Sequence, residues 1–92
     1  MTVARKGAAS REVGEFYFDR GNYHAAESRF REALQLNPND TNAMFELAES
    51  LEKMNRSDEA VEEYQEVLHL QPSGPFAEQS RNAIQRLDAS KL

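Results

Sequence analysis

The stretch Gly21-Asn22-Tyr23-His24-Ala25-Ala26-Glu27-Ser28-Arg29-Phe30-Arg31-Glu32-Ala33-Leu34-Gln35-Leu36-Asn37-Pro38 is echoed thirty-four residues later by Asn55 to Pro72. Side chains of like size recur at the same offsets: Ala26 over Ala60, Phe30 over Tyr64, Ala33 over Val67, Leu34 over Leu68 and Leu36 over Leu70. A fixed period of this length marks a repeat architecture, in which each unit buries its apolar face by stacking on its neighbour.

Working outward, every segment between turn signals shows apolar spacing of helical period and none alternates at period two. Ala9, Val13, Phe16 and Tyr17 predict a first helix over 8–20, after a basic, flexible lead-in at 1–7. Gly21 stops it, and Asn22 caps a second helix over 23–36. Asp40 caps a third over 41–54, with Met44, Leu47, Ala48 and Leu51 on one face. Asn55 replaces Gly21 at the next turn, since asparagine also tolerates the left-handed conformation. Ser57 is the expected cap of a fourth helix, and Pro75 the expected first residue of a fifth over 75–88, followed by a tail at 89–92. The fold class is therefore all-α: about five antiparallel helices in a short right-handed solenoid. Its divisions are a repeat over 7–40, a second over 41–74 and a closing helix.

Ninety-two residues make one small domain with a modest core. The net charge of −5 argues against nucleic acid, which demands clustered Lys and Arg. Without cysteine there is no disulfide, thiolate metal site or thiol nucleophile. No apolar run is long enough to span a membrane. Met1 to Lys6 lacks the apolar stretch of a signal peptide, so the expected location is the cytoplasm.

At this point the residues resemble the tetratricopeptide repeat. In the first unit its small and large positions are filled by Gly14, Tyr17, Gly21, Tyr23, Ala26, Phe30, Ala33 and Pro38; in the second by Leu47, Ala48, Leu51, Ala60, Tyr64, Val67 and Pro72. The resemblance covers residues 7–74 and makes the fifth helix a capping helix, whose stripe Ala77, Ser80, Ile84 and Leu87 matches a first helix if one residue is deleted after Pro72. One departure is that the opening aromatic is Ser10 in the first unit and Met44 in the second, which weakens the expected packing of the first hairpin.

The resemblance implies a non-enzymatic protein-binding scaffold with no cofactor. It places the first helices on a concave groove presenting Arg11, Glu15, Phe18 and Asp19, then Asn42, Phe45, Glu49, Glu52 and Lys53. Phe18 and Phe45 are either anchors for a bound peptide or packing residues. Some family members clamp a terminal carboxylate with Lys, Asn and Arg. Here the matching positions hold Arg11, Glu15 and Glu46, with Asn82 or Arg86 from the closing helix, which adds Glu78, Asn82 and Arg86 to the groove. The two acids Glu15 and Glu46 would repel a carboxylate. The expected partner is thus a protein segment with basic and apolar residues. With only two repeats, the rival expectation is self-association as a homodimer or within a longer array.

Other signals are weaker. Glu66 and His69 have the Glu-x-x-His spacing of di-metal bundles, but no second copy accompanies them, so no metal site is expected. Asp58, Glu59, Glu62, Glu63 and Glu66 read as a solvated face. Ser90-Lys91-Leu92 matches the peroxisomal address, a cheap three-residue match that is set aside. Asn39 and Asn55 begin glycosylation sequons in turns that favour asparagine anyway.

Overall fold

The computed structural model describes residues 3–91, in which the only positive-φ residues are Gly21 at 77° and Asn55 at 61°. These are the two residues chosen above for left-handed turns, and each reverses the chain between a pair of helices. Five helices result: α1 (Val3–Asp19), α2 (Tyr23–Leu36), α3 (Thr41–Lys53), α4 (Ser57–Leu70) and α5 (Ala77–Ala89). Each packs on the next, and α1 also touches α3. The arrangement is an all-α solenoid of stacked helix hairpins.

Two caps act as expected: Asn22 and Asp40 accept hydrogen bonds from the backbone N–H groups of Ala25 and Ala43. Ser57 does not. Arg56 holds the N-cap position and turns its guanidinium to Glu27 and Glu59 instead. The first helix also starts earlier than expected, at Val3, so residues 3–7 are helical rather than a lead-in; buried Gly7 faces Ala33 and Leu36 along α2. Met1, Thr2 and Leu92, which belong to the two expected tails and to the Ser90-Lys91-Leu92 triplet, lie outside the described residues. Lys91 is tied to Asp58 by an ion pair.

The core is one cluster shared by all five helices, with Ala26, Phe30, Ala48, Leu51 and Ala60 fully buried. Small residues set the helix spacing. A Cβ at Gly14 would lie 2.6 Å from the Phe30 ring, so α1 and α2 approach as closely as they do only because Gly14 has no side chain. Ser10, expected to weaken this hairpin, is buried and donates a 2.6 Å hydrogen bond to Glu32 on α2.

The register of α5 differs from expectation in sign. Ala77 follows Thr41, the start of α3, by thirty-six residues (77 minus 41), so the turn after Pro72 is two residues longer than the period, not one shorter. The added length lets Phe76 reach back onto Phe45, their rings stacked at 4.6 Å. The buried stripe becomes Ala77, Ser80, Ala83 and Leu87, with Ile84 half-buried.

Candidate functional site

Helical spacing puts Asn42, Phe45, Glu46, Glu49, Glu52 and Lys53 on one side of α3, between α1 and α5. Two open hollows lie there. The first, of about 500 Å³, is bounded by Glu15, Phe18 and Asp19 of α1, Asn42, Phe45, Glu46 and Glu49 of α3, and Phe76. The second, of about 390 Å³, is bounded by Phe45, Glu49, Glu52 and Lys53 of α3, Tyr64 of α4, and Gln79, Asn82, Ala83 and Arg86 of α5. Phe45 and Glu49 form the shared boundary.

Eight of the nine residues assigned to the groove line one hollow or the other. Arg11 lines neither; it pairs with Asp40 at 3.8 Å. Phe45 resolves as a packing residue: it is 8% exposed, with Tyr64 edge-on at 5.7 Å and Phe76 stacked on it. Phe18 is half-buried, edge-on to Tyr23 at 5.2 Å, and keeps a face toward the first hollow. Tyr64, Phe76, Gln79 and Ala83 were not foreseen as lining residues, and Glu46 was named only at a clamp position. Glu46 was legible, since it completes the i, i+3, i+4, i+7 series with Asn42, Phe45 and Glu49.

The electrostatics of the first hollow are unusual. Burial raises the Glu46 carboxyl well above the carboxylate range, and a hydrogen bond and the charge of Glu15 push it the same way. Arg11 pulls in the opposite direction without overcoming this. Glu49 is also raised, by burial and then by Glu52. In the second hollow Glu52 is engaged twice, accepting from the Tyr64 hydroxyl at 2.9 Å and from Arg86 at 2.5 Å. Burial and that hydrogen bond hold the Tyr64 hydroxyl above its ordinary range. Among the described residues, no group of three His, Asp or Glu side chains is placed to hold a metal ion.

Comparison with known proteins decides the family. Residues 17–87 match the sequence profile of the tetratricopeptide repeat. The chain belongs to the tetratricopeptide repeat family. A tetratricopeptide repeat-containing protein of Methanocaldococcus jannaschii is 35% identical over 78 residues, 85% of this chain but 14% of that protein. A peroxisomal targeting signal receptor of Kluyveromyces lactis is 36% identical over 61 residues, 66% of this chain and 11% of the receptor. The chain therefore spans a small part of the length of the curated relatives it matches. Among solved structures, the first tetratricopeptide repeat domain of Spaghetti, bound to an HSP90 peptide SRMEEVD, superposes with a TM-score of 0.84 at 21% identity, covering 91% of this chain and 64% of that one. The tetratricopeptide fold is that of a protein–protein interaction module, and the family is generally a non-enzymatic scaffold. No described helix is long and apolar enough to cross a membrane.

Proposed function

We propose that this tetratricopeptide domain binds a segment of another protein along the groove lined by α1, α3 and α5. The observation that carries this reading is the pair of adjoining hollows, whose carboxylates and amides face outward instead of toward the core. The Spaghetti structure and the targeting-signal receptor support peptide binding as a use of this fold. The acidic peptide held by Spaghetti does not suit the first hollow, because Glu15 and Asp19 would repel it and no basic residue lines that hollow to receive it. The reading is tested by affinity capture with a double variant, Phe18→Ala with Asn42→Arg, neither of which removes a core residue. Loss of the captured partners by the folded variant supports the groove; undiminished capture refutes it.

A second reading, self-association, is favoured by one observation. Val13 and Phe16 of α1 are 37% and 50% exposed, large apolar residues on one helix face, where the Arg20 guanidinium stacks over the Phe16 ring at 3.5 Å. Sedimentation velocity at micromolar concentration distinguishes the two: a wild-type dimer that Phe16→Ser dissociates supports self-association, and a wild-type monomer removes it.

A further inference from the structure

The two hollows carry different charge. Glu15, Asp19, Glu46 and Glu49 surround the first, and it includes no basic lining residue. The nearby cation, Arg11, is directed to Asp40. In the second hollow the two acids, Glu49 and Glu52, are matched by Lys53 and Arg86, and Gln79 and Asn82 add amide donors. Glu52 is already occupied by Arg86 and Tyr64. Lys53 is exposed and has no ion-pair partner within 4 Å among the described residues. The potential along the groove therefore runs from negative beside α1, where Glu15 and Asp19 stand with no cation in the lining, to balanced, with an open cation, beside α5.

The spacing of these ends sets a length. Glu46 and Lys53 are seven residues apart on α3, two helical turns on one side, or about 10 Å. A peptide in the polyproline II conformation covers about that distance in three residues, one full turn, so side chains three positions apart face the groove together. We propose that the groove reads the polarity of its partner. A lysine or arginine enters the first hollow with its stem against Phe18, and an acidic side chain three positions away meets Lys53. The hollow suits a long basic side chain because an aliphatic stem covers the phenylalanine while its charge meets Glu15 and Asp19 and favours the ionised forms of Glu46 and Glu49. This inference rests on the peptide-binding reading above.

The test is a titration of isotope-labelled protein, followed by amide chemical shifts, with eight-residue peptides at up to millimolar concentration. The parent peptide is Gly-Ser-Lys-Ala-Leu-Glu-Ser-Gly; its companions carry two lysines, two glutamates, or the reversed order. The better-binding order of the mixed peptide should shift resonances of α1, α3 and α5. It should bind about tenfold tighter than the double-glutamate peptide and about threefold tighter than the double-lysine peptide. Lys53→Glu, an exposed change that leaves the core intact, should reverse the second preference and leave the first. Binding of double-lysine and mixed peptides to the groove with equal affinity would overturn the polarity rule and leave the groove reading standing. Absence of groove shifts with every peptide would overturn both.

Discussion

Glu27 and Glu46 are both acids set part-way into the helix stack, and the molecule treats them in opposite ways. Glu27 of α2 accepts from Arg31 at 2.9 Å and from Arg56, at the start of α4, at 2.7 Å. Burial alone would raise its pKa, but those two hydrogen bonds outweigh it and the carboxyl sits below its ordinary value. Arg56 also holds Glu59 with two donors, so its guanidinium joins consecutive repeats. The pKa of Glu46 of α3 is raised instead, by burial first and then by its near neighbour Glu15, another acid. At Glu27, charge is satisfied within the fold and stabilises it. At Glu46, burial beside another acid costs stability, and such a cost falls where an outside group can relieve it.

That contrast can be broken at Phe45, where groove and core share one side chain. Phe45→Ala should cost about 3–5 kcal/mol, the largest effect of any groove substitution, and lower the midpoint of thermal unfolding accordingly. An unchanged melt would mean that the groove is separable from the core. Gly14→Ala should cost about 1–3 kcal/mol in denaturant unfolding, because the new methyl meets the Phe30 ring and the gain in helix propensity is smaller. Glu27→Ala should cost on the order of 1–2 kcal/mol at pH 7, since two charged donors lose their acceptor while Arg56 keeps Glu59.

The pH dependence sharpens the comparison. The folded-state pKa of Glu27 lies below 4.5, so its contribution is present above pH 4.5 and lost as pH falls through its folded value. The folded-state pKa of Glu46 lies above 4.5, so the unfolded chain ionises first. Its penalty is absent below pH 4.5 and grows as pH rises toward the folded value. Around Glu46, Glu15 and Arg11 face it from α1 and Glu49 from α3. Glu46→Gln should therefore raise stability at pH 8 by on the order of 1 kcal/mol, about 4–8 °C in Tm, with no gain at pH 4. A thermal melt series that shows equal shifts at both pH values would contradict the raised Glu46 carboxyl. Least affected should be Arg29→Ala, whose exposed pair with Glu32 is 3.8 Å long; its melt should match wild type within about 0.5 kcal/mol.

Much of the fold was legible because helix period, turn conformation and caps are local properties. Gly21, Asn55, Asn22 and Asp40 do what their backbone preferences require. Arg56 at the cap was not legible, since its role is to reach Glu27 twenty-nine residues away. The α5 offset failed for a related reason. Ser73 and Gly74 fit many turn lengths, and the stacking of Phe76 on Phe45 selects among them.

For the groove, the family resemblance together with helix spacing assigned Arg11, Glu15, Phe18, Asp19, Asn42, Phe45, Glu49, Glu52 and Lys53 to one face of the first helices. Whether a residue on that face is an anchor or a core side chain depends on what stands opposite it. Phe45 is buried because Tyr64 and Phe76 close over it, whereas Phe18 is left half-open. Residue order alone therefore determined the repeat, the turns and the helix faces, through preferences that act over a few residues. Only the tertiary structure decided which acids meet a guanidinium and which meet another acid. Those meetings join residues about thirty positions apart, and stacking, not chain order, sets their distance.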